Sequence, residues 1–372
     1  MKSKSRLRNM RPLIFITPSL LGGGAERVLI SLANYFTGQR VDVVLIALNY
    51  GTPAYPVDKR VTVINLLNRK KNNLPYRVYY MMSTFCKLLY LLIKFRPACA
   101  LSFITSANIW TGLVCSITRT PYIVSERTSP KRTINQFNYL ISHLAAFIYK
   151  KSMAVVVGTK AVEVCLRENN AFKNLKNIKR ITNAVPVFEP VSGTKVHGRK
   201  FILGVGRLAY VKGFDQLILA FSEAQLNDID LLIVGEGPER ANLVCQVYNL
   251  GLRDRVIFAG AKTNLQDFYS QAEVFVLPSR NEGYPNALVE AMSFGCPCVA
   301  MDCEFGPSEI IVNEQNGLLV NHGDIQALAG GINRLINDRS LANTLRNNAK
   351  KISDSNSAEK ILEQWSNLML TP

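Results

Sequence analysis

The sequence has few of the residues from which metal sites and nucleophilic triads are built. It contains three histidines, and none stands in a metal-like pattern with cysteine or carboxylate. His143, flanked by Leu140 and Leu144, is interpreted as a packing residue. The eight cysteines are scattered, which is typical of a reducing compartment. We therefore expect no metal ion, and no chemistry that depends on an activated serine or cysteine.

Acidic residues are scarce in the first half of the chain. Residues 1–190 contain 28 lysines and arginines against 7 carboxylates, and residues 191–372 contain 16 against 20. The net charges are therefore +21 and −4, and so cationic a surface suits nucleic acid or an anionic membrane leaflet. Signatures of nucleic-acid-binding modules are missing, so we expect no nucleic acid partner.

The basic residues of this half are interleaved with apolar and aromatic ones, most clearly over residues 76–96. A helix of this composition suits a membrane interface, with Lys87 and Lys94 at the level of the lipid phosphates. A core helix with a few solvated charges is an equal alternative.

Long apolar runs are nearly missing as well. The short run at residues 13–16 leads into a proline and a glycine turn, unlike a signal peptide. Residues 97–118 are uncharged but carry several serines and threonines, which favours a buried strand and helix over a membrane span. We expect a cytoplasmic protein, peripheral at the inner face of the plasma membrane.

Apolar segments of strand length alternate with amphipathic segments of helical length along most of the chain. A linker-like stretch rich in proline, glycine and serine interrupts the alternation at about residues 187–200. The pattern predicts an α/β protein with two doubly wound parallel-sheet domains. We place them at residues 1–187 and 188–352, followed by a terminal helical segment at residues 353–372.

Four turns at predicted strand ends carry candidate binding residues. Gly23 lies in a glycine turn before a helix, where amides approach phosphates, although the pattern is not that of a dinucleotide site. Arg207 and Lys212 follow another strand, where two cations can converge on a diphosphate. Gly235 begins a third turn that suits a base or ribose. Tight loops and ordinary surface charges are the alternatives at all three.

The fourth turn follows residues 274–277 and is bracketed by Glu282 and Glu290. Ligands lie outside the carboxyl ends of the strands in such sheets, which places Glu282 in the binding crevice. The amides of Asn286 and Ala287, at the next helix start, are expected to be free for an anion. Eight residues separate the carboxylates, so we interpret them as two contacts with one ligand rather than a proton-transfer pair.

The ordered set of motifs resembles the bacterial retaining glycosyltransferases of family 4. The resemblance runs from Leu13 to about Trp365 and rests on residues 22–27, 206–213, 234–238 and 282–290. It implies a GT-B fold, with two Rossmann-like domains facing across a cleft and a terminal helix that crosses back to the first domain.

The resemblance also implies roles for single residues. Arg207 and Lys212 would stabilise the leaving diphosphate, and Glu282 would contact hydroxyls of the donor sugar. The Gly23, Asn286 and Ala287 amides would meet phosphate, and Glu290 would bind the ribose. The full set of expected substrate-binding residues is Gly23, Arg127, Asn183, Gly235, Asn286, Ala287 and Glu290.

One position departs from the family pattern. Many relatives carry a histidine in the loop after the fifth strand, where it touches the donor sugar. This chain has Arg127 in the corresponding position, directly after Ser125 and Glu126. Which sugar or acceptor group Arg127 meets is left open.

The implied function is transfer of a sugar, with N-acetylgalactosamine favoured, from a UDP-sugar to a polyprenyl-diphosphate-linked glycan. Retention would be by front-face attack, without a cofactor or a metal ion. UDP-sugar is a co-substrate of this reaction and is not counted as a cofactor. The alternatives are UDP-hexose transfer, a UDP-N-acetylglucosamine 2-epimerase-like enzyme, and an inactive nucleotide-sugar-binding protein. A cationic first domain favours the transferase, since a lipid diphosphate and an anionic leaflet both attract cations.

Overall fold

The structure is a computed structural model that describes residues 11–68 and 73–370. The chain divides into two compact units, Met1–Thr182 together with Ile361–Pro372, and Asn183–Lys360. The division at residues 182 and 183 falls slightly before the predicted boundary at 187 and 188. The terminal segment belongs to the first unit from Ile361 onward, which is later than the predicted start at residue 353.

Parallel strands form the sheet of the first unit. They are β1 (Leu13–Thr17), β2 (Val43–Asn49), β3 (Thr62–Leu67), β4 (Cys99–Phe103), β5 (Tyr122–Glu126), β6 (Ala154–Val157) and β7 (Ile178–Arg180). Their order is β3-β2-β1-β4-β5-β6-β7, and every pair is parallel. The strand order reverses between β1 and β4, which is where such sheets open a binding crevice.

Helices cover both faces of this sheet. They are α1 (Gly24–Gly38), α2 (Leu74–Phe95), α3 (Thr105–Thr118), α4 (Tyr139–Lys151) and α5 (Lys160–Glu168). The core cluster that includes Ile14 and Ile16 joins α2, α3, α4 and α5 on one face. On the opposite side of β1, Phe15 packs edge-on against Phe36 of α1, with ring centroids 6.0 Å apart. Residues 97–118 form β4 and α3, as predicted.

Helix α2 is fixed to the sheet by one face. Thr84, Leu88, Leu91 and Leu92 are its buried residues. Tyr80 Oη donates to Asn49 Oδ1 at 2.7 Å, and Lys87 Nζ donates to the Leu66 carbonyl at 2.9 Å. The prediction for Lys87 needs correction, because this ammonium ties the helix to the end of β3. Within the described residues, α2 is the one helix long and apolar enough to cross a membrane, by length and composition alone. Of the 18-residue stretch of α2 that meets this criterion, 22% is buried.

The second unit has a parallel sheet of its own. Its strands are β8 (Lys200–Val205), β9 (Ile229–Val234), β10 (Val256–Gly260), β11 (Val274–Leu277), β12 (Cys298–Asp302) and β13 (Leu318–Asn321). They lie in the order β10-β9-β8-β11-β12-β13, and the order again reverses beside the first strand of the unit. Two doubly wound parallel sheets confirm the predicted fold class.

The helices of the second unit follow its strands. They are α6 (Phe214–Glu223), α7 (Arg240–Asn249), α8 (Leu265–Gln271), α9 (Asn286–Ser293), α10 (Pro307–Ile310), α11 (Ile325–Asn337), α12 (Arg339–Ala349), α13 (Ile352–Ser355) and α14 (Ala358–Leu370), which continues into the first unit. Asp324 and Asp338 cap α11 and α12 by accepting from the Ala327 and Leu341 amides.

A buried carboxylate, Glu126, lies at the end of β5. It accepts from Thr105 Oγ1 at 2.8 Å and Asn108 Nδ2 at 2.9 Å, and from the Tyr149 hydroxyl. Burial raises the pKa of Glu126 above its ordinary value of 4.5, because water no longer solvates the charge. These hydrogen bonds oppose the rise without cancelling it.

This pKa shift predicts a pH-dependent stability. The folded chain binds the Glu126 proton more tightly than the unfolded chain, so its free energy of unfolding falls as pH rises from about 4.5 through the raised value. Glu126→Gln does not titrate. Denaturant titrations over a pH series should show the difference, wild type minus variant, decreasing with pH across that interval. A difference that grows with pH would mean that the folded state favours the charged form.

Candidate active site

A clamp in the second unit joins two loops at the carboxyl edge of its sheet. Arg280 donates to Asp215 Oδ1 at 2.7 Å and Oδ2 at 2.5 Å, and its guanidinium stacks 4.1 Å from the centre of the Tyr210 ring. The Arg280 amide also donates to the Val211 carbonyl at 2.9 Å. The loop after β11 is thereby fixed against the short 3-10 turn Tyr210–Lys212.

The clamp brings Lys212 and Glu282 together. Lys212 Nζ lies 2.6 Å from Glu282 Oε1, and Ser279 Oγ donates to the same oxygen at 2.7 Å. The Glu282 side chain exposes 6% of its surface and that of Lys212 exposes 30%. A nearly buried carboxylate therefore holds the ammonium of a partly exposed lysine at the strand ends.

We expect the clamp to matter for activity through this pair. Asp215→Asn removes the charge that orients Arg280, so the loop carrying Glu282 should shift and catalysis should fall by about ten-fold or more. The loss should appear mainly in kcat, measured by product formation with saturating substrates. Glu223→Gln, at an exposed position of the same unit, is the control. Unchanged kinetics for Asp215→Asn would show that the loops hold their positions without the clamp.

Two glycines permit the close approach of the backbone around this pair. Gly213 has φ +66°, and a Cβ there would lie 2.0 Å from the Pro278 carbonyl oxygen. Gly235 has φ +146°, and a Cβ there would lie 1.9 Å from the Gly206 carbonyl oxygen. Any side chain would push these loops apart. Gly235 therefore lets the turn after β9 pack closely against the turn after β8, which carries Arg207. The Gly235 amide donates to the Gly260 carbonyl at 2.9 Å.

Arg207 follows β8 at this edge with an exposed side chain. No hydrogen bond or ion pair of this side chain is present within residues 11–68 and 73–370. Arg207 and Lys212 therefore follow the same strand, but only Lys212 is held by the protein. The guanidinium is therefore available to a ligand, and its contact with a diphosphate stays a prediction.

The start of α9 differs in part from expectation. The Asn286 amide donates to the Tyr284 carbonyl at 3.0 Å, so it is not free for an anion as predicted. The Ala287 amide makes no hydrogen bond in the part of the chain that the structure describes. The chain turns back at Pro285 just before the helix, which explains why the first amide is occupied and the second is not.

Asparagines hold this loop from the interior of the unit. Asn183 Nδ2 donates to Asn286 Oδ1 at 2.7 Å, and Asn183 exposes 3% of its surface. Asn356 Nδ2 donates to the Asn183 carbonyl at 3.1 Å and to the Tyr284 hydroxyl. Asn183, predicted to bind substrate, therefore supports the loop that carries Asn286.

Glu290 lies inside α9 and is 1% exposed. Its Oε2 accepts from the Tyr269 hydroxyl of α8 at 3.0 Å. The Tyr269 hydroxyl therefore orients the Glu290 carboxylate, for which a ribose contact is predicted. Sequence reasoning missed Tyr269, Asp215, Arg280 and Asn356, because nothing in local spacing signals a partner that the fold brings from another element.

Candidate residues of the first unit lie at its own carboxyl edge. Gly23 caps α1 in an extended conformation, and a Cβ at this position would lie 2.4 Å from Glu26 Oε2. Ser19 Oγ donates to the other oxygen of Glu26 at 3.3 Å. A carboxylate of the chain thus lies over the positive end of α1, where the sequence predicted a phosphate.

Arg127 is held between aromatic rings. Its guanidinium carbon lies 4.6 Å from the centre of the Phe103 ring and 5.5 Å from that of Trp365, which belongs to the same unit. Its Nε donates to Ser125 Oγ at 2.8 Å. The Trp365 ring of the terminal helix α14 therefore helps to hold Arg127 in place.

Among residues 11–68 and 73–370, no group of three or more histidine, cysteine, aspartate or glutamate side chains is placed to hold a metal ion. Arg207, Lys212 and Glu282 are among the charged residues at the strand ends of the second unit.

Two family models match consecutive parts of the chain. The model described as Glycosyltransferase Family 4 matches residues 22–187, and that described as Glycosyl transferases group 1 matches residues 188–352. The second contains the clamp, the Lys212 and Glu282 pair and helix α9.

Full-length relatives are bacterial glycosyltransferases. The amylovoran biosynthesis glycosyltransferase AmsD of Erwinia amylovora is 26% identical, over 96% of this chain and 99% of the relative. The GalNAc-alpha-(1->4)-GalNAc-alpha-(1->3)-diNAcBac-PP-undecaprenol alpha-1,4-N-acetyl-D-galactosaminyltransferase of Campylobacter jejuni is 26% identical, over 97% of this chain and 98% of the relative.

A solved structure shares the fold of the whole chain. HepE of Anabaena, in complex with UDP, superposes with a TM-score of 0.79 at 21% identity, over 97% of this chain and 100% of that protein. Two parallel-sheet units, two consecutive family matches and full-length relatives lead to one conclusion. The chain is a glycosyltransferase with the GT-B fold, and its second half belongs to the group 1 glycosyltransferases.

Proposed function

We propose that the chain is a retaining glycosyltransferase that moves a sugar from a UDP-sugar to a polyprenyl-diphosphate-linked glycan in bacterial surface polysaccharide or glycoprotein glycan assembly. The observation that carries the proposal is the contact of Lys212 with Glu282 at 2.6 Å, on the edge of the sheet where a nucleotide-sugar binds in this fold class. One group suits the sugar and the other suits the diphosphate.

Glu282 serves as the acceptor for hydroxyls of the donor sugar. Its carboxylate already accepts from Ser279 and Lys212 through Oε1, and two oxygens can accept further hydrogen bonds. Lys212 then shares its ammonium between this carboxylate and the leaving diphosphate. Because Glu282 is nearly buried and Lys212 is only partly exposed, their charges act more strongly on the reacting centre than they would in bulk water.

Arg207 and the Ala287 amide complete the anion contacts in the proposal. The guanidinium can take two phosphate oxygens, and the amide lies at the positive end of α9. Glu290, oriented by Tyr269, accepts from the ribose hydroxyls. Cations and amides offset the diphosphate charge in this arrangement, so we propose that no metal ion is needed.

The proposed reaction proceeds by front-face attack. The acceptor hydroxyl oxygen forms a bond to the anomeric carbon on the face from which the phosphate departs. The bond from that carbon to the UDP phosphate oxygen breaks, and its electrons stay on UDP. The proton of the acceptor hydroxyl passes to the departing phosphate oxygen. Arg207 and Lys212 accelerate this step because the negative charge on the diphosphate grows as the bond breaks.

The comparisons support the kinds of donor and acceptor. HepE was solved with UDP bound, and the Campylobacter relative is named for transfer of N-acetylgalactosamine to an undecaprenyl-diphosphate glycan. We therefore favour UDP-N-acetylgalactosamine as donor, with a UDP-hexose second. A lipid-linked acceptor places the enzyme at the inner face of the plasma membrane in this proposal, with an anionic leaflet as a further partner.

A donor panel tests the proposal. The purified chain is incubated with UDP-sugars and a polyprenyl-diphosphate-linked glycan, and UDP release and the anomeric configuration of the product are measured. We expect acceptor-dependent UDP release, an α-linked product and insensitivity to a chelator. No release from any donor would refute the enzyme, a β-linked product would refute retention, and loss of activity with chelator would refute metal independence.

A further inference from the structure

The outer surface of the first unit's helix layer is not explained by the transfer reaction. Helix α3 packs against α2 and against α4, so the three helices lie side by side on one face of the sheet. Both outer helices turn apolar side chains away from that sheet. They include Val78, Met82 and Tyr90 of α2, and Leu140, Leu144 and Phe147 of α4.

The exposed residues form stripes opposite the buried ones. On α2, Val78, Met82 and Tyr90 recur at multiples of four and expose more than half of their surface each. On α4, Leu140 is 77% exposed and Phe147 is 54% exposed. His143, predicted to pack, is exposed between them and lies against Tyr139 with ring centroids 4.0 Å apart. The interpretation of His143 as a packing residue is therefore wrong.

The surface charge around these stripes has one sign. Residues 59–162 contain 16 lysines and arginines and a single carboxylate, Glu126, which is 1% exposed. Helices α2, α3 and α4 contain no acidic residue. Lys94 lies near the end of α2, and Lys150 and Lys151 close α4. Apolar stripes edged only by cations fit an anionic lipid surface, in which acyl chains and phosphates meet both components.

We propose that α2 and α4 together form a docking surface for an anionic lipid bilayer. The proposal rests on the proposed function only in that a lipid-linked acceptor requires a membrane. A second copy of the chain does not suit this face, since it would set these cations against their own equivalents without a carboxylate between them.

The helices lie on the bilayer in this proposal and do not cross it. Leu88, Leu91 and Leu92 of α2 pack on the sheet, and Tyr80 and Lys87 bond to β2 and β3, so the helix cannot leave the unit without breaking its core. Both helices follow parallel strands and therefore begin at the carboxyl edge of the sheet.

Vesicle co-sedimentation tests the surface. Full-length protein is mixed with vesicles of phosphatidylcholine alone, or of equal amounts of phosphatidylcholine and phosphatidylglycerol, at low and high salt. We expect binding to the anionic vesicles, weakened by salt. Leu140→Gln with Leu144→Gln, and separately Lys150→Gln with Lys151→Gln, should each lower the partition coefficient about ten-fold or more, because α4 supplies both apolar and cationic contacts to the lipid surface.

Matched variants from the second unit provide the controls. Val244→Gln with Tyr248→Gln removes two exposed apolar residues of α7 at the same spacing, and Lys350→Gln with Lys351→Gln removes an adjacent exposed lysine pair. These should bind as the wild type does. Equal losses in control and α4 variants, undiminished binding of the α4 variants, or equal binding to both vesicle types would each overturn the proposal.

Light scattering tests whether a second copy of the chain binds this face instead of a bilayer. A wild-type dimer that the α4 variants convert to monomer, with vesicle binding unchanged, would assign this face to a second copy and overturn the lipid surface. The proposed function is tested separately by UDP release with the acceptor in detergent micelles. Vesicle binding without UDP release would refute the transferase and leave the surface standing, whereas UDP release without vesicle binding would do the reverse.

Discussion

Glu282→Gln should abolish sugar transfer while leaving the second unit folded. The amide keeps the shape of the side chain but loses the charge that fixes Lys212 at 2.6 Å and accepts the sugar hydroxyls. Removal of one preorganised electrostatic contact of this kind commonly costs about 10² to 10³ in kcat, and Glu282 is proposed to make two. Acceptor-dependent UDP release, measured at saturating donor, is the readout.

A surface pair in the same unit provides the matched control. Glu314 lies 2.8 Å from Arg334, and both side chains are about half exposed. Glu314→Gln therefore breaks an ion pair of similar length without touching the strand ends, and its kinetics should match the wild type. Circular dichroism should show native folding for both variants, since Lys212 can turn to solvent when its partner is neutral. Substantial activity in folded Glu282→Gln would mean that the donor sugar lies elsewhere.

Trp365→Ala should destabilise the first unit by about 3–5 kcal/mol, the usual cost of removing a large buried aromatic side chain. The Trp365 ring is fully buried, 5.8 Å from the Phe103 ring centre and 5.5 Å from the Arg127 guanidinium carbon. Its loss opens a cavity where α14 returns to this unit and frees one side of Arg127. Denaturant unfolding followed by far-ultraviolet circular dichroism measures the change.

Two further variants separate the ring from its N–H group. The Trp365 indole nitrogen is buried without a hydrogen-bond partner in the described part of the chain, so Trp365→Phe should cost much less than alanine. Trp110→Ala, at the partly buried second tryptophan, should also cost less. Equal destabilisation by alanine and phenylalanine at position 365 would contradict the packing account. If Arg127 acts in transfer, Trp365→Phe should retain activity because one ring still faces the guanidinium.

Much of the architecture could be predicted from local pattern. Buried parallel strands require continuous apolar runs, and the helices between them require apolar residues at helical spacing, so both sheets are visible in the sequence. Turn residues at strand ends also marked Lys212 and Glu282, because parallel strands bring their carboxyl ends to one edge. The structure joins these two residues directly.

Contacts between distant segments could not be predicted in this way. Nothing near Glu290 in the chain indicates Tyr269, and nothing near Asn286 indicates Asn183. Arg127 and Trp365 are separated by more than half of the chain, yet they stack. Such partners depend on the side-chain geometry of packed elements, which spacing along a chain does not encode.

The sequence by itself determined two parallel-sheet domains, an excess of cations in the first half, and the strand-end turn that carries Glu282. Tertiary structure alone decided which side of each helix is covered. Leu140 and Leu144 have the spacing of core residues, but α4 is already buried through Ser142, Ala145 and Ile148 on its other side. A helix has one face toward its sheet, and only packing shows which apolar stripe remains outside.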